Sequence, residues 1–343
     1  MNLPPFEYMT WAKTVPGRHS LNLAVSGVRP LASEEFPFDP AEVSLYGPDP
    51  YGLAGLVEAI ARAYDVEPDW VLPVPGTSMA NFVVAAASLS PGDEALVETP
   101  AYPILALLPG GFGANVRRFE RGTRPPLGPR TRLVVVTHLH NPTGLPLPEA
   151  EYQALAAMDG PTVLVDEVYR DFLGPAAGPV APRRALHLVS TGSLTKAYGL
   201  PGLRLGWILA RPDRIARMRV VVDYLNVIDS FPAMSLGVVA FRRLDALWRR
   251  GHDLCEGGRR ILRQWLSGQR GIEHVWPPAG TIVFLRFPFE TDPLVERLRA
   301  EEDAVVVPGR FFGDPHGIRI GIATDPSIVE RGLAALGRVL ATQ

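Results

Sequence analysis

The sequence predicts an α/β fold in three layers: a mainly parallel central sheet, helices on both of its faces, and a smaller α+β domain beside it. Short β-branched runs alternate with helical stretches between residues 53 and 209, and strands separated by helices are typical of parallel sheets. From about residue 231 the pattern changes to long helices followed by short strands, which indicates the second domain. A chain of 343 residues is long enough for both.

Hydrophobic periodicity predicts the individual elements. Apolar residues between Leu53 and Tyr64 recur at helical spacing and predict a helix. The strands predicted after it share a short length and many β-branched residues, and they span 71–75, 94–98, 132–137, 162–166, 186–190 and 203–209. Beyond them the sequence predicts a helical stretch over 231–265 and strands over 281–287, 304–307 and 318–322. Ligands of a parallel sheet gather where its strands end, so we expect the functional site in the loops after the strands.

Composition and charge favour small-molecule chemistry. The formal net charge is −2 and neither sign forms a long run, so we expect no binding to nucleic acid or to an anionic membrane. The N-terminal residues lack the pattern of a secretion signal, and no apolar run approaches the ~18 residues of a membrane span. Cys255 is the only cysteine, which excludes an internal disulfide and a cysteine-built metal site and fits a reducing, cytoplasmic location.

Lysine is almost absent from the chain. Of its 34 basic residues, only Lys13 and Lys196 are lysines. Because arginine supplies nearly every other positive charge, a lysine deep in the chain is a candidate for chemistry that arginine cannot perform. An amine can lose its proton and act as a nucleophile, whereas a guanidinium cannot. On composition alone, a surface lysine without a special role remains the alternative.

Lys196 lies in the segment 193–207, Ser-Leu-Thr-Lys-Ala-Tyr-Gly-Leu-Pro-Gly-Leu-Arg-Leu-Gly-Trp. This segment resembles the Schiff-base lysine motif of the class I and II aminotransferases, which use pyridoxal 5′-phosphate (PLP), in the positions of the lysine, the glycines and the arginine. The resemblance implies that Lys196 bonds to the cofactor and then acts as general base for the proton of the substrate Cα. Ser193 and Arg204 flank it and are suited to bind a phosphate.

Two further segments follow predicted strands. Strand 162–166 ends in Asp166, and a carboxylate at the end of a core strand requires a cationic partner such as a protonated pyridine nitrogen. In the resemblance, the Tyr169 hydroxyl meets the 3′-oxygen of the cofactor. Residues 138–144, His-Leu-His-Asn-Pro-Thr-Gly, predict a turn in which Asn141 donates its amide to the same oxygen. The family usually has proline where His140 stands, and without nearby cysteines or acidic clusters we expect no metal site at His138 and His140.

Residues 76–81, Gly-Thr-Ser-Met-Ala-Asn, lie between a predicted strand and a helix. Backbone N–H groups at a helix start bind anions, so Gly76, Thr77 and Ser78 are predicted to bind the cofactor phosphate, although the same residues also form an ordinary helix cap. Residues 98–103 resemble the family segment whose aromatic residue stacks on the pyridine ring, and this assigns that role to Tyr102. Without the resemblance, Tyr102 reads as a core aromatic.

Two outlying segments complete the resemblance. Tyr46 lies in a segment, 44–52, similar to the one whose tyrosine reaches the PLP phosphate of the partner subunit. Arg319 lies in a segment, 311–321, similar to the one whose arginine pairs with the α-carboxylate of the substrate. Gly27 and Asn141 are assigned to the substrate site together with Arg319.

The resemblance covers about residues 45–321, which is most of the chain. It implies PLP fold type I with a seven-stranded central sheet, a large PLP-binding domain over 33–250 and a small domain built from 1–32 and 251–343. It also implies a homodimer with shared active sites. The implied reaction moves an amino group between an amino acid and a 2-oxo acid, with Lys196, Asp166 and Tyr102 as catalytic residues.

Alternatives to this function remain open. A PLP-dependent amino-acid decarboxylase or carbon–sulfur lyase uses the same lysine and ring, so the motifs determine the cofactor better than the reaction. A regulatory module fused to a DNA-binding domain is disfavoured, because few residues precede Tyr46 and no basic patch is present. The substrate side chain is not predicted. Phe6, Tyr8 and Trp11 form either an apolar lid over the substrate or, as we expect, an aromatic cluster packed on the small domain.

Overall fold

The structure is a computed structural model that describes residues 2–342. Its strands, numbered in chain order, are β1 (Leu21–Asn22), β2 (Val71–Val74), β3 (Glu94–Thr99), β4 (Asn115–Glu120), β5 (Thr131–Thr137), β6 (Thr162–Asp166), β7 (Leu188–Ser193), β8 (Gly206–Leu209), β9 (Glu273–His274), β10 (Ile282–Arg286), β11 (Ala304–Val305), β12 (Val307–Pro308) and β13 (Gly317–Gly321). The α-helices are α1 (Glu7–Thr14), α2 (Ala54–Tyr64), α3 (Thr77–Ser88), α4 (Pro103–Gly111), α5 (Glu149–Ala156), α6 (Ala181–Arg184), α7 (Pro212–Leu225), α8 (Phe231–Arg242), α9 (Leu244–Ser267), α10 (Asp292–Glu302) and α11 (Pro326–Ala341).

Strands β2 to β8 form a seven-stranded sheet in the order β2-β8-β7-β6-β5-β3-β4. β8 is antiparallel to both of its neighbours, and every other adjacent pair is parallel. This confirms the predicted mainly parallel sheet. Because parallel strands end at the same edge, the ends of β5, β6 and β7 and the loops after them lie side by side, and Asn141, Asp166 and Lys196 are located there.

Helices cover both faces of this sheet. Alternate residues of β5 face opposite sides: Leu133 packs in the cluster that includes α3, α4 and α7, whereas Val134 packs in the cluster that includes α5. α2 and α8 cover the β2–β8 end on the face opposite α3, where their buried residues pack around Trp207. The core strands are therefore apolar on both faces, as expected for the middle layer of three.

Smaller sheets lie beside the central one. β12-β13-β10-β9 form an antiparallel four-stranded sheet, and β1 pairs in parallel with β11. α9, α10 and α11 pack on these strands through Leu262, Leu298 and Leu336. The N-terminal β1 thus joins strands from the C-terminal part of the chain. α9 runs without a break through residue 250, and the division into 33–250 and the two flanking segments stays a prediction.

Several predicted bounds were wrong, for local reasons. Predicted strand 203–209 begins only at Gly206, because Pro201–Leu203 is a 3-10 turn and Arg204 has a left-handed φ of 50°. Predicted strand 186–190 is displaced toward Ser193, since Leu186 is exposed before β7 begins. The helical stretch 231–265 is two helices that meet at Arg243. β4 was not predicted: it is an edge strand whose only fully buried residue is Phe119.

No helix within residues 2–342 is long and apolar enough to cross a membrane.

Candidate active site

The predicted site residues converge at the carboxyl edge of the central strands. Thr137 of β5 pairs with Asp166 of β6, and Asp166 pairs with Thr191 of β7, so the ends of three adjacent strands are in register. The turn with Asn141 continues from the first of these strands. Lys196 follows the last one, just beyond Ser193, so the chain folds its acid, amide and amine candidates into neighbouring loops.

Lys196 is partly buried, and its amine lies among groups from several elements. Nζ donates a hydrogen bond of 2.6 Å to Ser26 Oγ and lies 5.7 Å from the centre of the Tyr169 ring. Burial lowers the pKa of Lys196 to about 8, and the positive charge of Arg319 acts in the same direction, whereas the Asp166 carboxylate opposes both. An amine with this pKa is neutral in a large fraction of molecules near pH 8, which is the form that a nucleophile and a base require.

The segment around Ser26 also explains the place of Gly27. A Cβ added at Gly27 would lie 3.3 Å from the Lys196 backbone, and Val28 N donates to Lys196 O at 3.0 Å. The N-terminal segment therefore lies directly against the lysine backbone, where a side chain on residue 27 would crowd it. The structure brings Gly27 to Lys196, and its assignment to substrate remains a prediction.

Asp166 is buried at the end of β6, where it is 5% exposed. Its Oδ2 accepts a 2.8 Å hydrogen bond from Asn81 Nδ2, and its Oδ1 accepts one of 3.1 Å from the backbone N–H of Val168. Burial raises the pKa of the Asp166 carboxyl, while both hydrogen bonds and the charge of Lys196 oppose that rise. These groups favour the ionised carboxylate over the protonated acid.

Arg319 is fully buried and links three parts of the site. Its Nη1 donates to Asn141 Oδ1 at 2.9 Å, and its Nη2 donates at 3.2 Å both to the Tyr8 hydroxyl and to Ala24 O. Because the oxygen of the Asn141 amide is engaged with the guanidinium, the nitrogen of that amide is the end left to donate elsewhere. Arg319 and Asn141 are thus brought together, as their joint assignment to the substrate site requires.

An aromatic cluster surrounds Tyr8 of α1, the residue whose hydroxyl contacts this guanidinium. The ring of Tyr8 lies edge-on to Tyr102, with centroids 5.5 Å apart, and edge-on to Phe311 at 5.4 Å. Phe6 also meets Tyr102, and Trp11 meets Phe311. Phe6, Tyr8 and Trp11 therefore form an aromatic cluster with Tyr102 and Phe311, and the Tyr8 hydroxyl also reaches Arg319.

The predicted phosphate site forms where α3 begins. Gly76 has a φ of +85°, and a Cβ added there would lie 2.6 Å from Arg204 Nη2. The arginine therefore rests against the loop beside Gly76, whose positive φ favours glycine. The first N–H groups of α3 have no partner within the helix, and Thr77 Oγ1 is buried without a hydrogen-bond partner among residues 2–342. Ser193 is buried at the end of β7, and Ser78 is exposed.

The two histidines of the turn are neutral, structural groups. Burial lowers the pKa of both His138 and His140 to about 3. His140 Nε2 donates to Pro100 O at 2.7 Å, and its Nδ1 accepts from the Thr143 hydroxyl at 2.7 Å. His140 thereby ties the Asn141 turn to the segment that carries Tyr102. Within residues 2–342, no group of three or more His, Cys, Asp or Glu is placed to hold a metal ion.

Tyr46 is placed differently from the other predicted residues. Its side chain is 79% exposed, and its ring lies 6.2 Å from that of Phe231 at the start of α8. No hydrogen bond joins the described Tyr46 side chain to the predicted phosphate site of its own chain. Tyr46 therefore stands on the surface, while the other cofactor candidates lie at the strand ends.

Sequence reasoning missed several residues of the site. Asn81 stands in the quoted segment 76–81, and its helical position facing β6 was the available signal. Ser26 carries no motif that points to Lys196. His140 stands where the family usually has proline. That departure was visible in the sequence, but it did not indicate that the side chain bridges two segments.

Comparison with known proteins decides the family. The sequence profile of aminotransferase class I and II matches residues 41–336. The chain belongs to this family. Membership confirms the resemblance seen in the sequence, and with it the prediction of a PLP-dependent enzyme.

The relatives of this class I and II aminotransferase include a protein named as a synthase and others named as aminotransferases. Capreomycidine synthase of Streptomyces vinaceus is 36% identical over 290 residues, covering 79% of this chain and 75% of that protein. Histidinol-phosphate aminotransferase of Syntrophotalea carbinolica is 28% identical over 302 residues, covering 85% of this chain and 83% of that protein.

Solved structures show the same fold. A PLP-dependent aminotransferase from Streptococcus suis superposes with a TM-score of 0.91 at 22% identity, over 100% of this chain and 99% of that one. The PLP-dependent cyclase OrfR superposes with a TM-score of 0.84 at 24% identity, over 100% of this chain and 98% of that one. PLP fold type I is therefore confirmed.

The residues present in this family member fit PLP. Buried polar atoms without a hydrogen-bond partner among the described residues include Thr77 Oγ1 at the phosphate cradle, the Tyr169 hydroxyl near Lys196, and Nε of Arg319. Buried polar groups are normally satisfied, so these atoms are consistent with a site that receives a polar group. In their chemistry, the candidate anion cradle, amine and carboxylate suit the phosphate, the aldehyde and the ring nitrogen of PLP.

We predict that His140→Leu destabilises the fold around the Asn141 turn. The substitution leaves Pro100 O and the Thr143 hydroxyl, both partly buried, without their partner, and the loss of a hydrogen bond of this kind costs about 0.5–1.5 kcal/mol. Urea unfolding of the apoenzyme measures the free energy of unfolding. The exposed His274→Leu serves as control and should change it little. Equal stability of the two variants would show that the His140 bridge does not hold the turn.

Proposed function

We propose that this chain transfers the amino group of an amino acid to a 2-oxo acid, with Lys196 Nζ as the group that moves the substrate proton. The observation that carries the proposal is the setting of this amine: it is partly buried, donates to Ser26 Oγ, and has a pKa of about 8 that the charges of Asp166 and Arg319 influence in opposite directions. Lys13, the other lysine of the chain, is exposed. A neutral amine can act as the nucleophile that bonds to the cofactor and, later, as the base that takes the proton of the substrate Cα.

Each remaining residue has a defined task in this proposal. Bound PLP supplies an aldehyde that bonds to amino groups and a ring that accepts electrons from the substrate Cα. Asp166 faces the ring nitrogen of bound PLP. Its negative charge favours the protonated form of that nitrogen. Asn141 and Tyr169 donate hydrogen bonds to the 3′-oxygen of bound PLP. Tyr102 limits the space available to a planar ring.

In this proposal Arg319 binds the α-carboxylate of the substrate. A guanidinium presents paired N–H groups that match a carboxylate. In the structure these groups bond to Tyr8, Ala24 and Asn141 instead. An entering carboxylate would therefore replace weaker neutral acceptors, and Tyr8 would have to yield its place at Nη2.

We also propose a homodimer whose active sites are shared. Large apolar side chains stand unusually exposed on one surface, which we call the Tyr46 face: Leu45 is 84% exposed, Tyr46 79%, Tyr224 90% and Val227 74%. The Tyr46–Phe231 ring contact and the Tyr51–Asp223 hydrogen bond join the two segments that carry them. Exposed apolar surface of this kind marks a protein interface. A second copy of the chain covers this face in the proposal and receives the Tyr46 hydroxyl at its phosphate cradle.

A second candidate function is favoured by two of the comparisons. The 36% identity to capreomycidine synthase and the fold shared with the cyclase OrfR link this chain to PLP enzymes not named aminotransferases. In that case the same lysine and carboxylate act on a single amino acid, and no 2-oxo acid takes up its amino group.

A panel of amino acids separates the two reactions. We expect at least one amino acid, added alone, to release about one equivalent of its 2-oxo acid per active site, because without an acceptor the amino group stays on the cofactor. Addition of 2-oxoglutarate or pyruvate should then restore the starting spectrum. Lys196→Arg should show neither change, since a guanidinium cannot replace the amine. Continuous consumption of one amino acid without any acceptor would contradict transamination and support the second candidate.

A mixed dimer tests the shared site. Loss of one hydroxyl contact to the phosphate costs about 0.5–1.5 kcal/mol, or roughly three- to tenfold in PLP affinity, so we expect the Tyr46→Phe homodimer to retain PLP less well. Pairing a Lys196→Ala subunit with a Tyr46→Phe subunit puts both changes in one shared site and leaves the other intact. The lysine-bearing site should then retain PLP like the wild type. If it retains PLP as weakly as the Tyr46→Phe homodimer, Tyr46 acts within its own subunit.

A further inference from the structure

A chain of hydrogen bonds lies behind Asp166. The Thr191 hydroxyl donates to Asn81 Oδ1 at 2.8 Å, and Asn81 Nδ2 donates to Asp166 Oδ2 at 2.8 Å. Thr191 is 0% exposed and Asn81 2%. The chain links three elements, since Asn81 belongs to α3, Asp166 ends β6, and Thr191 lies beside it on β7.

We propose that Thr191 and Asn81 are positioning residues that hold the Asp166 carboxylate ionised and aimed at the cofactor ring nitrogen. The inference rests on the proposed role of Asp166. In this proposal neither Asn81 nor Thr191 touches the cofactor. Asn81 acts through Asp166, and Thr191 acts through Asn81.

Asp166 and Thr191 together hold the Asn81 amide in one orientation. An asparagine side chain can rotate by half a turn and exchange its oxygen and nitrogen. In the rotated state its oxygen would face the Asp166 carboxylate, and two acceptors would be opposed without a proton between them. The carboxylate therefore selects the orientation in which Nδ2 meets it, and the Thr191 hydroxyl, which donates to Oδ1, holds the amide in that orientation.

The bond from Asn81 also determines the direction of the carboxylate. Asp166 Oδ1 is occupied by the N–H of Val168 and Oδ2 by Asn81, so rotation of the carboxyl group breaks both bonds. A carboxylate oxygen has a second acceptor site, which remains for a cationic partner. Hydrogen bonds to the charged form also lower the pKa of a buried acid, and the bond from Asn81 acts in this direction on Asp166.

Binding of PLP, compared with binding of an analogue that lacks the ring nitrogen, distinguishes a positioning role of Asn81 from a role in packing alone. The probe is 1-deaza-PLP, in which a C–H group replaces that nitrogen and Asp166 has no proton to share. We expect Asn81→Leu, close to isosteric, to weaken binding of PLP to the apoenzyme by about tenfold or more, as for loss of a hydrogen bond to a charged group. Binding of the analogue should stay as in the wild-type protein. In the loaded enzyme, the acid limb of the pH profile of kcat should move to higher pH, because the carboxylate loses a donor.

Thr191 supplies the second arm of the experiment. Thr191→Val removes the hydroxyl at constant shape and should weaken PLP binding less than Asn81→Leu does, again without effect on the analogue. Thr191→Ser retains the donor and should bind PLP like the wild-type protein. If Asn81→Leu does not yield folded apoenzyme by circular dichroism, the Val and Ser pair decides the question.

Asp166→Asn separates failure of this inference from failure of the proposed role of Asp166. If Asp166→Asn weakens PLP binding but spares the analogue, while the Asn81 and Thr191 variants weaken both ligands equally or neither, the positioning role is wrong. If Asp166→Asn itself shows no difference between PLP and the analogue, the pairing of Asp166 with the ring nitrogen is wrong, and the positioning role is overturned with it.

Discussion

A carboxylate buried at the end of a central strand is expensive unless opposite charge and hydrogen bonds compensate it, and much of the site is arranged around that requirement at Asp166. Burial raises the pKa of this acid, and the donors of Asn81 and Val168 and the charge of Lys196 oppose that rise. The same carboxylate limits how far the pKa of Lys196 falls. Acid and amine therefore depend on each other, and both depend on the register of β5, β6 and β7, which brings their loops to one edge.

Close backbone approach makes that edge possible. A Cβ on Gly206 would lie 2.7 Å from both the Gly76 backbone and Gly192 O, and one on Gly192 would meet the Trp207 ring. The antiparallel strand β8 thus packs tightly between β2 and β7 and brings the segment before it, with Arg204, against the Gly76 loop. Gly206 of the lysine motif is therefore needed for the packing of the sheet. The single segment 193–207 thus carries both Arg204, which lies at the phosphate cradle, and Lys196, the amine of the site.

The sequence located the candidate site residues better than it located the residues that contact and support them. Lys196, Asp166, Asn141 and Arg319 lie in loops or strands with recognisable neighbours, because reacting groups in this family occur in local motifs. Asn81 and Ser26 act through contacts across 85 and 170 positions of the chain, and hydrophobic periodicity does not encode such distances. Edge strand β4 escaped prediction because its exposed arginines hide the β pattern, and the start of β8 was misplaced because Arg204 adopts a backbone conformation that is uncommon for arginine.

The central claim is that Lys196, and not Lys13, bonds to PLP, and one measurement tests it directly. The holoenzyme is reduced with borohydride, which makes the bond to lysine permanent, and is then digested and mapped by mass spectrometry. We expect the pyridoxyl group on the peptide that contains Lys196, at about one per chain, and an identical map position in a Lys13→Arg variant. A pyridoxyl group on Lys13, or a reducible adduct that persists in Lys196→Arg, would contradict the account.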